Sequence, residues 1–306
     1  MHEAKKRMII GLLGCGHWGL LILKTLRELA VPVLVVEPDP HARQLARDAG
    51  ARLVDSVAEL APAAGLIVAT PATTHYALLR TLNALGKPIF VEKPFTTSVA
   101  EAETLAEELT VPVFLMHIWR YHAGIRLLGD LNRSGELGDC LLLKTTRTNW
   151  TSPRTDTDSV WTLAPHDLTI AREILGFIPP PRAAVAERHG AAIRSMTAVL
   201  GDNPAFVLDV STRYADKRRE VRLHGTKGVA VLADERTNAV DIWFGDDRTP
   251  PDARRHERRH FSVVSPLHTE LRAFLTYLQG GAPPVSDLAE GVMVVRYLHE
   301  LIQLSQ

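Results

Sequence analysis

The sequence predicts an α/β protein: an N-terminal doubly wound parallel sheet, then an α+β half built on a largely antiparallel, open-faced sheet. Three observations carry this prediction. In the first third, short runs that are apolar throughout alternate with helical patterns, as parallel strands covered on both faces require. A glycine-rich turn joins the first apolar run to the first helix. Beyond about residue 118 helices become scarce, and strand-like runs follow one another across turn signals.

The elements follow in order. Residues 8–13 are a strand, and 18–29 a helix with leucines at helical spacing. Strand 31–36 precedes a helix over 41–49 that stops at Gly50. Strand 65–69 leads to helix 74–85, ended by Gly86, and then to strand 88–91. Ser98, with Glu101 three residues on, caps a helix running to about residue 109. Strand 113–116 completes the set. In the second half, 123–134 reads as helix, 140–148 as strand and 149–159 as a polar loop. Residues 165–175 read as a helix with Pro165 in its first turn. Strands fill 182–264, and 267–278 and 288–304 are amphipathic helices.

Composition excludes several classes. The chain has 306 residues, 46% hydrophobic and 23% charged, which suits about two folded domains. Lys+Arg and Asp+Glu are 35 each, so no basic excess points to nucleic acid. The run Arg254-Arg255-His256-Glu257-Arg258-Arg259-His260 reads as a solvated strand or loop. Two cysteines, Cys15 and Cys140, make no disulfide framework and no metal-binding spacing, so no metal is expected. No segment has the apolar length of a signal peptide core or a membrane span, and the expected location is the cytoplasm.

Gly14-Cys15-Gly16-His17-Trp18-Gly19 fits G-x-G-x-x-G between a strand and a helix, the setting that makes the pattern specific for a dinucleotide. Gly14 permits the tight turn, Gly16 the approach of a pyrophosphate, and Gly19 close packing of helix on strand. Glu37 ends the second strand 18 residues after Gly19, where an acid accepts bonds from the adenosine ribose. It also repels a 2′-phosphate, which favours NAD. Arg43 keeps NADP open. Glu92-Lys93-Pro94 follows strand 88–91, at the carboxyl edge where doubly wound sheets bind ligands.

Taken with Ala69-Thr70-Pro71, His75, Gly135-Glu136-Leu137-Gly138, His166-Asp167 and Gly225-Thr226-Lys227-Gly228, these motifs resemble the Gfo/Idh/MocA family of NAD(P)-dependent sugar and polyol dehydrogenases. The resemblance covers nearly the whole chain. It implies a Rossmann domain over 1–118 and a substrate-binding, oligomerising domain over 119–306, with helices 267–306 as candidates to pack back on the first. It implies that Lys93 touches both cofactor and reacting hydroxyl, that His166 is the catalytic histidine, and that Glu92 positions the lysine. Thr70 and Pro71 would line the nicotinamide side, and His75 would be structural or near the cofactor.

The chemistry is coherent on its own terms. A histidine suits proton exchange near neutral pH, and an ammonium stabilises a developing alkoxide. The family's segment around 147–167 implies substrate contacts for Arg147, Asn149, Arg154, Trp161 and Thr162. Arginines and tryptophans there suit a sugar ring carrying a phosphate or carboxylate, and the resemblance of this segment implies a nucleotide sugar, with inositol or a free sugar as the alternative. Thr162 stands where many relatives carry an aspartate. That departure motivates a different alternative, a non-catalytic NAD-binding sensor or scaffold. A homodimer or homotetramer through the sheet of 182–264 is expected, since an open face asks for cover.

Overall fold

A computed structural model describes residues 8–151 and 158–306. The chain divides into two compact units, 1–116 with 267–295, and 117–266 with 296–306.

The first unit is built on six parallel strands. In chain order its elements are β1 (Ile10–Leu13), α1 (His17–Glu28), β2 (Val33–Val36), α2 (Pro40–Asp48), β3 (Arg52–Val54) and β4 (Gly65–Val68). Then come α3 (His75–Asn83), β5 (Ile89–Glu92), α4 (Val99–Glu108) and β6 (Val113–Met116). The sheet order is β3-β2-β1-β4-β5-β6, all pairs parallel. Winding reverses between β1 and β4, so the carboxyl ends of these strands border the ligand crevice of such a fold. β1, β4, β5 and β6 are buried along their whole length, which is why their sequences show no alternation. β3 is a short edge strand whose sequence lacks the apolar run that marks the others. Asp39 caps α2 and Ser98 caps α4 through side-chain bonds to Ala42 N–H and Glu101 N–H.

In the second unit, α5 (Ala123–Arg133), β7 (Cys140–Trp150) and α6 (Ser159–Leu175) come first. The hairpin β8 (Pro181–His189) and β9 (Ala192–Leu200) follows, then β10 (Ala205–Ser211), β11 (Arg213–Gly225) and β12 (Gly228–Leu232). The last strands are β13 (Ala239–Phe244) and β14 (Arg255–His260). Two helices complete the chain: α7 (Pro266–Tyr277), and α8 (Leu288–Leu304), which runs from the first unit into the second. The sheet order is β14-β13-β12-β11-β7-β10-β9-β8. Every pair is antiparallel except β7 with β10. That parallel pair is possible because α6 and a hairpin lie between the two strands in sequence, long enough for a crossover.

The register separates the two faces. Leu143, Phe206, Leu208, Met196, Leu223, Ala230 and Ile242 are buried, while Lys144, Val207, Val199, Arg222 and Trp243 are on the open side.

Two expectations are corrected here. β7 extends to Trp150, past the expected end at 148, and α6 begins at Ser159 rather than 165. Asp158 sets that start: its carboxylate accepts from the N–H groups of Val160 and Trp161. Pro165 therefore lies inside the helix. Burial of Val160, Leu163, Ala164 and Leu168 offsets the backbone bond that the proline removes. The arginine-rich run forms β14, an edge strand whose charges deter edge-to-edge pairing. Arg259 on it is held by Glu136 and Glu257.

Candidate active site

In the first unit the glycine-rich turn is built by close approach. Gly14 has φ +86°, and a Cβ there would meet the Ala69 carbonyl at 2.7 Å. A Cβ on Gly19 would lie 2.2 Å from the Gly14 carbonyl. Gly16 is different, because a Cβ there meets nothing within 4 Å. Its missing side chain leaves open space at the start of α1, where no side chain caps the helix. Backbone N–H groups at such an uncapped N-terminus suit a pyrophosphate, so the turn fits a dinucleotide. His17 beside it is exposed.

Glu37 is buried at the end of β2, and its carboxylate accepts from Cys15 N–H at 2.5 Å and Asp39 N–H at 2.9 Å. It thus braces the turn from beneath. Each carboxylate oxygen retains a second lone-pair site for a ribose hydroxyl. Burial, with the Glu37 charge beside it, pushes the Cys15 thiol up to about 11. Arg43 donates to the Glu37 carbonyl at 3.1 Å and pairs with Asp55 at 2.7 Å.

At the carboxyl end of β5, Glu92 is buried. It accepts a bond from the Trp18 indole N–H and another from Lys93 N–H at 3.1 Å. Burial raises its carboxyl to about 7, against the opposing pull of Lys93 and Trp18. Lys93 itself is half-buried. His75 is fully buried. Its Nδ1 faces the carbonyls of Pro94 and Phe95 and its Nε2 that of Thr70, and burial lowers its pKa. It ties the segment after β4 to the segment after Lys93. Thr70 and Pro71 accept bonds from the Thr74 hydroxyl. The first unit therefore collects the turn at 14–19, Glu37, Thr70, Pro71, Glu92 and Lys93 at one edge of its sheet.

In the second unit His166 is half-buried on α6, edge-on to Trp119 with ring centroids 6.4 Å apart. Arg147, expected at a substrate mouth, is only 3% exposed. Its Nε donates to Asp167 at 2.8 Å, and its guanidinium lies 4.2 Å from the Trp119 ring centre. Asp167 is 1% exposed, and burial raises its pKa against the pull of Arg147. This pair anchors the turn of α6 that bears His166. The Thr162 hydroxyl donates to the Asp158 carbonyl at 2.8 Å. Trp161 and Asn149 are half-buried, and Asn149 Oδ1 has no partner among the described residues. Trp150 is exposed. Arg154 lies outside the described residues.

Sequence reasoning missed Trp119, His122, Arg219 and Glu270. His122 stacks on Trp119 at 5.3 Å. Its Nδ1 accepts from Gly124 N–H, and its Nε2 faces the Glu235 carbonyl. Arg219 donates to the Thr148 carbonyl at 2.7 Å. The aromatic run Trp119-Arg120-Tyr121-His122 was the available signal. Glu270 had one too: it falls among Leu267, Leu271 and Phe274 at apolar-face spacing on α7.

Known proteins resemble this chain in sequence and fold. Residues 8–111 match the model of the Gfo/Idh/MocA oxidoreductase family, described as an NAD-binding Rossmann fold. UDP-N-acetylglucosamine 3-dehydrogenase from Acidithiobacillus ferrooxidans is 26% identical over 301 residues, covering 94% of each chain. Inositol 2-dehydrogenase from Rhizobium meliloti is 22% identical over 298 residues, covering 89% of each. A solved levoglucosan dehydrogenase, in complex with NADH and levoglucosan, shares the fold at TM-score 0.85 and 15% identity, with 97% of each chain covered. No described helix is long and apolar enough to cross a membrane. The first unit thus matches the NAD-binding Rossmann fold of the Gfo/Idh/MocA oxidoreductases, and nearly the whole chain is similar to a UDP-N-acetylglucosamine 3-dehydrogenase and an inositol 2-dehydrogenase.

Proposed function

We propose that this protein transfers a hydride between NAD and a secondary alcohol or ketone of a sugar, with a nucleotide sugar as its substrate class. The carrying observation is Lys93 at the carboxyl end of β5, beside a buried Glu92 that is bonded to Trp18 of the glycine-rich turn. The full-length likeness to a UDP-N-acetylglucosamine dehydrogenase supports the substrate class. When bound, the nicotinamide supplies or accepts the hydride. Gly16 and the N-terminus of α1 would hold the pyrophosphate of NAD, on a turn shaped by Gly14 and Gly19, and Glu37 would hold the ribose. The Lys93 ammonium stabilises the oxygen that gains charge, and His166 takes the hydroxyl proton in oxidation and returns it in reduction. Arg43 is already engaged by Asp55, which supports NAD over NADP.

The test is the change in nicotinamide absorbance with UDP-N-acetylglucosamine, and in parallel with myo-inositol and glucose 6-phosphate. Lys93→Ala and His166→Ala abolish turnover while NAD still binds to His166→Ala. A wild type that binds NAD and turns over none of these sugars favours a non-catalytic NAD-binding role. That reading draws on the Thr162 hydroxyl being bonded to its own helix.

The same proposal includes a homodimer or homotetramer through the open sheet face. Val185, Val199 and Trp243 lie exposed on its strands. A monomer by light scattering at every concentration overturns it. A cytoplasmic setting agrees with two cysteines left as free thiols.

A further inference from the structure

Glu270 is fully buried, and among the described residues no hydrogen-bond partner reaches either of its carboxyl oxygens. Its position follows from α7. Phe274 packs on Phe90 of β5, ring centroids 5.0 Å apart. Four residues back along a helix is about 6 Å, and two residues on along a strand is about 6.6 Å. Glu270 and Glu92 are each such a short step from this ring contact, and the charge of Glu92 reaches Glu270. Burial, and after it the charge of Glu92, pushes the Glu270 carboxyl well above the usual carboxylate range.

Two carboxyl groups in so dry a place do not both ionise. Their surroundings decide which one carries the charge. Glu92 accepts from Trp18 and from Lys93 N–H, whereas none of the described residues donates to Glu270. A buried anion without donors is the costlier one.

We propose that Glu270 is a positioning residue for Glu92 and Lys93: its carboxyl stays neutral and presents its O–H to the Glu92 carboxylate, holding that charge beside Lys93. The inference rests on the role proposed above for Lys93. Around the pair, Glu92 acts on Glu270, Lys93 acts on Glu92, and α1 contributes the neutral indole of Trp18.

The experiment compares the full-length wild type, Glu270→Gln and Glu270→Ala. Glutamine keeps a neutral donor and cannot ionise. Urea unfolding of wild type and Glu270→Gln is measured across pH. A native state that holds this proton loses ground to the unfolded chain as pH rises above the ordinary glutamate range. The unfolding constant of wild type relative to Glu270→Gln then rises about tenfold per pH unit from roughly pH 5 upward. In the same variants, the acid limb of kcat/KM is unmoved in Glu270→Gln and moves up by about one pH unit in Glu270→Ala. Unfolding constants that stay in fixed ratio across pH, or a shifted limb in Glu270→Gln, overturn the proposal. Because the unfolding series needs no turnover, it decides the protonation of Glu270 even if the dehydrogenase reading fails. Absence of turnover with the sugars removes the positioning role alone. If Glu270→Ala does not fold, the glutamine variant still decides.

Discussion

Trp18 donates its indole N–H to the buried carboxylate of Glu92, joining the first turn of α1 to the residue before Lys93. The cofactor turn and the lysine are thus linked by one bond between side chains 74 positions apart. Replacing Trp18 by Phe keeps the ring packing and removes the donor. The expected loss is about 1–3 kcal/mol, because a buried carboxylate loses a partner. Urea unfolding at neutral pH measures it, and the acid limb of kcat/KM moves upward in the same variant.

Glu92 gives a pH dependence with a definite sign. Its carboxyl titrates at about 7 in the folded chain, against 4.5 as the ordinary value. The folded state therefore holds the proton more tightly. The contribution of Glu92 to stability is greatest below the ordinary value, declines as pH rises through the interval, and levels off above about 7. The span amounts to on the order of 3 kcal/mol. Glu92→Gln flattens this decline relative to wild type in unfolding measured at several pH values.

The glycines of the turn separate folding from binding. Gly19→Ala drives a Cβ into the Gly14 carbonyl and costs about 1–3 kcal/mol of stability. Gly16→Ala meets no protein atom within 4 Å. It leaves stability within about 0.5 kcal/mol, yet weakens NAD binding by about tenfold or more, or ~1.4 kcal/mol. Calorimetric titration with NAD and thermal unfolding of both variants check the contrast.

Arg147 and Asp167 form a buried pair, so removing one partner strands the other. Arg147→Met is expected to cost about 3–5 kcal/mol, and the double change Arg147→Met with Asp167→Leu to recover much of that loss. The recovered double variant remains low in turnover, since the turn bearing His166 has lost its anchor. Unfolding and kcat measured side by side separate the two effects.

The features that the sequence by itself determined are those read by neighbours along the chain. The strand–turn–helix at 10–28, the acid at Glu37, the capping of α4 by Ser98 and the placement of Lys93 at a strand end all depend on local spacing. Hydrophobic runs sufficed for five of the six parallel strands because both faces of the sheet are covered, and they missed the short, half-exposed edge strand β3. Tertiary structure decided the rest. The run Leu141-Leu142-Leu143 is apolar at both parities, so alternation did not tell which face of β7 is buried. Packing turned Leu143, Thr145 and Arg147 inward, and Arg147 became a partner for Asp167. Pro165 suggested a helix start, but the Asp158 cap and the burial beyond it moved that start to Ser159. Glu270 sits on an apolar helix face, and only the approach of α7 to β5 sets its carboxyl beside another one. A charge in water is indifferent to such a neighbour. In a dry interior the pair shares a single negative charge, and the fold chooses its bearer.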